Sequence, residues 1–183
     1  MTRPPDAARD DSPRTAPYDA IAEGYSELNA TSLLNEYYNR PALVELAGDV
    51  AGRRILDVGC GSGPTLAELH RVLRPGGRLI VSEEHPTALF LSDRLSGGDR
   101  EYFGVHERTE EWTLGGRTAE LTFWDRPLHA MTDAFASAGF RITAISEPAP
   151  APEAFERFPE IRKHESGRFL AFLLFVLVAE SRR

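Results

Sequence analysis

Residues 55 to 63 read Ile-Leu-Asp-Val-Gly-Cys-Gly-Ser-Gly (ILDVGCGSG). The run Arg53 to Val58 (RRILDV) is rich in aliphatic and β-favouring residues and predicts a strand. Glycines at 59, 61 and 63 then predict a loop in which backbone approaches a ligand, because a Cβ there would clash or forbid the φ required. Pro64 suits the first turn of a helix behind the loop; Leu66, Leu69, Val72 and Leu73 share one face of it, and Arg74-Pro75-Gly76-Gly77 ends it. In RLIVSEEHP, Leu79, Ile80 and Val81 predict a second buried strand ending near Glu83. Strand, loop, helix and strand make a βαβ unit, and the free N–H groups at the helix start favour an anionic group beside the glycines. Taken alone, a GxGxG loop is a weak signal, with a tight structural turn as the alternative.

The pattern continues outward on both sides. Upstream, YDAIAEGYSEL (residues 18–28) places Tyr18, Ile21, Ala22, Tyr25 and Leu28 at helical spacing, with Gly24 as its weak point. A further helix is predicted from Pro41, tolerated in a first turn, to Gly48 in the position of a C-terminal cap. Downstream, Thr109 to Leu114 and Arg117 to Trp124 flank Gly115-Gly116, a two-residue hairpin signal. In that register Trp112, Leu114, Ala119, Leu121 and Phe123 share one face, so something covers it. PLHAMTDAFASA (127–138) predicts a helix stopped by Gly139, FRITAISEP a strand, 148–159 a loop, and FLAFLLFVLVAE a final buried strand.

Composition limits the class. The chain has 183 residues, 42% hydrophobic, and a net charge of −7 from 28 acidic and 21 basic side chains. At about 150 residues per domain, one globular domain is expected over 17–183, with the proline-rich residues 1–16 as a disordered tail. An acidic chain without a basic stripe is a poor partner for nucleic acid. The longest apolar run, Phe169 to Ala179, falls short of the ~20 residues a transmembrane helix needs, so no membrane partner is expected. The single cysteine, Cys60, cannot form an internal disulfide and suits a reducing cytoplasm. The five histidines show no metal-ligand spacing.

In its full context ILDVGCGSG resembles motif I of the class I S-adenosylmethionine-dependent methyltransferases. The remainder resembles their small-molecule branch, the type 11 methyltransferase domains, a group that includes quinone C-methylating enzymes. YDAIAEGY is similar to that branch's N-terminal cap helix, LAELHRVLRPGGRLIVSEEHP to its last helix and fifth strand, and RPLHAMTDAFASAGFRITAISEP to the helix and strand that follow. The resemblance implies an α/β, Rossmann-like methyltransferase fold, S-adenosyl-L-methionine as cofactor, a small-molecule acceptor and in-line methyl transfer. Carried over position by position, Asp57, Gly59, Cys60, Gly61, Ser62 and Gly63 would line the methionine and ribose side of the cofactor. Tyr18 or Tyr25 would close over it from the cap helix. Cys60 reads as a small buried filler there, not a nucleophile. His85, directly after the carboxyl end of a strand, is the candidate base if the acceptor must lose a proton; the alternative is a turn histidine before Pro86. Tyr102, Phe103, Trp112 and Trp124 lie where the family builds its acceptor pocket, although the apolar hairpin face makes Trp112 a core residue.

The chain departs from the family directly after the glycines. PTLAELHRVLRPGGRL matches the family's last helix instead of its first, so strands two to four and their helices, about 60 to 80 residues, are missing from the pattern. The usual ribose carboxylate goes with them. Glu83 and Glu84 fall about 20 residues past the glycines, where such a carboxylate is expected. Glu83 either takes that role or keeps its family place at the end of the fifth strand. The shortened sheet either closes as a four-strand remnant plus the hairpin, its two retained strands adjacent, or leaves an exposed edge through which a homodimer forms. The functional alternatives are a small-molecule methyltransferase and a non-catalytic or weakly binding remnant or partner subunit. GCGSG in place of GxGxxG argues against a dinucleotide-dependent oxidoreductase.

Overall fold

The most apolar segment of the chain, near its C-terminus, becomes the middle of a sheet with helices on both faces. The computed structural model describes residues 17–56, 66–163 and 168–181. The elements run α1 (Ala22–Asn29), α2 (Arg40–Ala47), α3 (Leu66–Val72), β1 (Arg78–Glu84), α4 (Pro86–Leu95), β2 (His106–Leu114), β3 (Arg117–Asp125), α5 (Leu128–Ser137), β4 (Phe140–Ser146), α6 (Ala154–Arg157) and β5 (Phe172–Ala179). A π-helical turn, Asn35–Asn39, leads into α2, and 3-10 turns occupy Pro17–Ala20 and Pro159–Lys163. No helix among the described residues is long and apolar enough to cross a membrane.

β5 lies between β1 and β4 and is antiparallel to both, so β1 and β4 run parallel to each other. Paired on both sides and covered on both faces, β5 has no reason to alternate with polar residues, and it does not (FLLFVLVA). On one face, Met131 and Phe135 of α5 and Leu66 and Leu69 of α3 pack against Phe140, Leu173, Phe175 and Leu177. On the other, the Tyr38 ring sits edge-on to Phe172 at 5.5 Å, and Asn39 Oδ1 accepts the Ser82 hydroxyl at 2.7 Å. The Arg78 guanidinium caps the C-terminus of α2 through the Leu46 and Ala47 carbonyls. Gly139, at φ +85°, turns the chain from α5 into β4, and its N–H and carbonyl tie α5 and the end of β5 together.

β2 and β3 form a separate antiparallel hairpin closed by Gly115 and Gly116, both at positive φ. The cover its apolar face requires comes from the N-terminal turn and α1. Ile21, 2% exposed, packs on Ala119 and Leu121, with Tyr18, Trp112, Leu114 and Phe123 around them.

Three expectations change. Arg53 to Leu56, the described part of the predicted first strand, has no strand structure, and Ile55 and Leu56 are each 67% exposed. A β-prone run becomes a strand only where a ladder receives it, and the ladder partner of β1 among the described residues is β5. The expected four-strand remnant with its two retained strands adjacent is therefore replaced, among the described residues, by a three-stranded sheet. The segment 148–159 contains α6, and the unforeseen α4 follows β1 directly, capped by His85 with Pro86 in its first turn. The predicted tail, residues 1–16, lies outside the described residues.

Candidate functional site

The carboxyl end of β1 carries Glu83, Glu84 and His85 in succession, and each points to a different set of partners. Glu83 continues the Leu79–Val81 face and is paired in register with Leu173. Its side chain reaches the surface, yet the protein packed around the carboxyl raises its pKa; nearby Arg126 pulls it down and Glu84 pushes it up further. Glu84 lies on the opposite face, and its carboxylate accepts from Arg108 Nη2 at 2.6 Å.

His85 is 6% exposed and fully engaged. Its backbone N–H donates to Ala171 at 2.9 Å and extends the β1–β5 ladder. Its Nδ1 accepts the Thr87 N–H at 3.2 Å as the N-cap of α4, which leaves the proton on Nε2, 2.9 Å from Glu147 Oε1 at the end of β4. A base needs a free lone pair; here the one available already holds the first turn of α4. The geometry makes His85 a positioning residue joining β1, α4 and β4.

Arg108 is the charged centre of the region, and sequence reasoning missed it. Its Nε donates to Asp125 at 3.1 Å, its other nitrogens reach Glu84 and Glu110, and the guanidinium lies 4.9 Å from the Phe123 ring centroid. Burial would lower its pKa, but Glu84, Asp125 and Glu110 outweigh that and raise it. Arg100 adds a second cation, 2.9 Å from Asp125 and 3.5 Å from Asp93. The network ties α4, the hairpin and the end of β1 together. A signal for it existed: extending the covered hairpin face one step at a time from Trp112 gives Glu110 and Arg108, and from Phe123 gives Asp125. Inward-facing charges on such a strand require partners.

The tyrosines expected over the cofactor pack on the hairpin. Tyr18 and Tyr25 meet edge to face at 5.5 Å, and Tyr25 lies 5.9 Å from the Trp112 ring. Burial, and then Tyr25, raise the Tyr18 pKa. The four expected acceptor-pocket aromatics do not converge. Trp112 is half-buried in the contact with α1 and donates to Glu110 at 2.8 Å, while Trp124 stands exposed on the other hairpin face. Tyr102 packs on Phe90 and Phe103 beside α4, next to a ≈ 40 Å³ recess with room for only a few waters. Asp57, Gly59, Cys60, Gly61, Ser62 and Gly63 lie outside the described residues. No group of three or more His, Cys, Asp or Glu that could hold a metal occurs among the described residues.

No protein-family model and no curated protein matches the chain. Among solved structures, the chain is similar to a putative S-adenosylmethionine-dependent methyltransferase from Listeria monocytogenes, with 23% identity and a TM-score of 0.48 over 63% of this chain and 54% of that one. It is also similar to an S-adenosylmethionine-dependent methyltransferase from Mesorhizobium loti, with 19% identity and a TM-score of 0.37 over 62% of this chain and 53% of that one. The chain thus spans about half the length of each.

Proposed function

We propose that this chain is an S-adenosylmethionine-dependent methyltransferase acting on a small molecule in the cytoplasm. The observation that carries the reading is the string ILDVGCGSG at residues 55–63, in the sequence context of a helix and a strand that ends in an acidic pair. The same reading takes the chain as a shortened type 11 domain in which strands two to four are missing and the hairpin is an addition. It also assigns Asp57, Gly59, Cys60, Gly61, Ser62 and Gly63 to the methionine and ribose side. The chemistry of the described residues fits in part. Glu83 presents a surface-reaching carboxyl at the end of a strand, the group that ribose hydroxyls require, whereas Tyr18 and Tyr25 must leave the hairpin before either could cover a ligand.

When bound, the cofactor supplies a methyl group on a positively charged sulfur, open to in-line displacement. The task of the protein is then to hold the acceptor within near-attack distance and keep water out. His85 contributes by fixing α4 against the ends of β1 and β4; Arg108 contributes by holding the hairpin onto Glu84. The outer edge of β1 has no partner strand among the described residues, and the proposal extends to a homodimer formed there, read by sedimentation equilibrium.

Calorimetry with S-adenosylmethionine and with its demethylated product tests the reading. Binding of both is expected, with weaker binding in Glu83→Gln if that carboxyl holds the ribose. No binding of either up to millimolar concentration would overturn the methyltransferase assignment and leave a non-catalytic remnant; unchanged affinity in Glu83→Gln would remove Glu83 from the site.

A further inference from the structure

The two ring nitrogens of His85 place opposite demands on its charge. α4 opens on His85-Pro86-Thr87. Pro86 has no N–H, so Thr87 carries the first N–H of the helix, and no carbonyl within the helix can accept it. His85 Nδ1 accepts it at 3.2 Å, while the His85 carbonyl accepts the Leu89 N–H at 3.0 Å and starts the helical ladder. A ring nitrogen accepts only while it keeps its lone pair, so this cap exists only on a neutral imidazole. At Nε2 the preference is reversed. That nitrogen donates to Glu147 Oε1 at 2.9 Å, and a carboxylate so close favours the charged ring. The N-terminal end of α4, with its positive potential, opposes that charge.

Four elements bring ionisable groups to this corner of the fold. The end of β4 brings Glu147, β1 brings Glu84, the segment leading into β5 brings Arg168, and the turn before α2 brings Tyr38. Glu84 is held by Arg108, Arg168 Nη2 donates to the Glu147 carbonyl at 2.8 Å, and the Tyr38 hydroxyl lies between the Phe169 and Pro148 carbonyls. Glu147 is therefore the group that meets the ring itself. Protonation leaves the Glu147 contact in place as an ion pair and turns the Thr87 contact into two donors 3.2 Å apart. Rotating the ring cannot restore the cap, because both nitrogens of an imidazolium are donors. At 6% exposure the residue gives water little access to take over. We propose that His85 is a proton-operated cap: the neutral ring closes the first turn of α4, and uptake of one proton at Nδ1 releases that turn while Nε2 stays anchored on Glu147. α4 begins where β1 ends, directly after Glu83 and Glu84, so the released turn borders the carboxyl end of that strand. The inference rests on these bonds and not on the function proposed above.

The test is a pH titration of the full chain followed by nitrogen-15 NMR across the range in which imidazoles take up a proton, about pH 8 to 5. As pH falls, the His85 Nδ1 signal should change from that of a lone-pair nitrogen to that of an N–H. The Thr87 amide proton should lose its hydrogen-bond shift with the same midpoint. The protection factor of that amide, which allows for the ordinary pH dependence of exchange, should fall roughly fivefold, while the amides of Ala134 and Phe135 in α5 stay unchanged. His85→Asn keeps an uncharged acceptor at the cap and should hold the Thr87 amide fixed over the whole range. Glu147→Gln removes the carboxylate that favours the charged ring, so the midpoint should move to lower pH with the transition retained. A Thr87 amide that stays fixed while the ring takes up its proton, a ring that remains neutral until the chain unfolds, or the same Thr87 transition in His85→Asn would each overturn the proposal. An unmoved midpoint in Glu147→Gln would overturn the anchoring on Glu147.

Discussion

Gly24 lies inside α1, where glycine is the least favourable residue other than proline, and replacing it with alanine in an isolated helix stabilises by about 0.8–1.0 kcal/mol. The structure reverses the expected sign. A Cβ at Gly24 would stand 2.8 Å from the Gly115 nitrogen and 2.9 Å from both the carbonyl carbon and Cβ of Leu114. Backbone of a two-residue turn is not a flexible side-chain end, so α1 itself must move. Overpacking of this kind costs about 1–3 kcal/mol, which exceeds the propensity gain and leaves Gly24→Ala about 1 kcal/mol less stable. For a chain of this size that corresponds to a Tm lower by about 2–4 °C. The displacement also lifts Ile21 from Leu121, each 2% exposed, and moves Tyr25 from its place 5.9 Å from Trp112. In a Trp124→Phe background, Trp112 fluorescence should therefore shift to the red as the melting point falls. Ser26→Ala, exposed on the same helix, is the control and should gain a few tenths of a kcal/mol. A Gly24→Ala variant that is about 1 kcal/mol more stable, with unchanged Trp112 emission, would refute the seating of α1 on the hairpin turn.

Further outcomes follow from single sites. Phe175, 0% exposed and 5.0 Å from the Phe135 ring, should cost about 3–5 kcal/mol as alanine in urea denaturation, and a loss below 1 kcal/mol would contradict its central place. Gly139→Ala must hold φ +85° and bring a Cβ to 3.0 Å from the His70 ring, so a loss of at least about 1–2 kcal/mol is expected, and a neutral variant would count against the turn as described. Tyr38→Phe removes the one hydroxyl proton shared between the Phe169 and Pro148 carbonyls, 2.6 and 2.9 Å away, and should lower stability by about 1–2 kcal/mol in the same assay. Glu83 has a raised pKa in the folded chain, so its contribution is full below the ordinary glutamate range and is lost as pH rises through the raised value. Glu83→Gln should flatten that part of the Tm–pH profile and raise Tm near neutrality; a profile parallel to the parent's would show that the carboxyl is not perturbed.

What was legible in the sequence was local. Gly115-Gly116 between alternating strands specifies a hairpin because only residues that tolerate positive φ close a two-residue loop there. Gly139 after a helical repeat, and Gly48, specify ends of helices for the same kind of reason, whereas Pro41 does not mark a start, because the helical backbone runs back through the Asn35–Asn39 turn. The unbroken apolar run at 172–179 announces a strand covered on both faces. α4 was not legible because His85-Pro86 reads as a turn until the histidine ring is seen to cap the helix and the proline to occupy its first turn. The Arg108 network was half legible: alternation places Arg108, Glu110 and Asp125 on the inward hairpin face, but their partners Glu84 and Arg100 come from other elements.

Backbone preference and alternation act within a few residues, so the sequence by itself determined the hairpin and its register, the C-terminal end of α2, the extent of α5, the strand character of β1, β4 and β5, and the acidic pair at the end of β1. Only tertiary packing decided that Arg53 to Leu56 joins no ladder among the described residues, that β5 lies reversed between β1 and β4, and that Tyr18 and Tyr25 pack on Trp112. It likewise decided that both nitrogens of His85 are engaged. Each of these depends on which surfaces meet across tens of residues, where burial and hydrogen-bond satisfaction outweigh the local preference of any one segment.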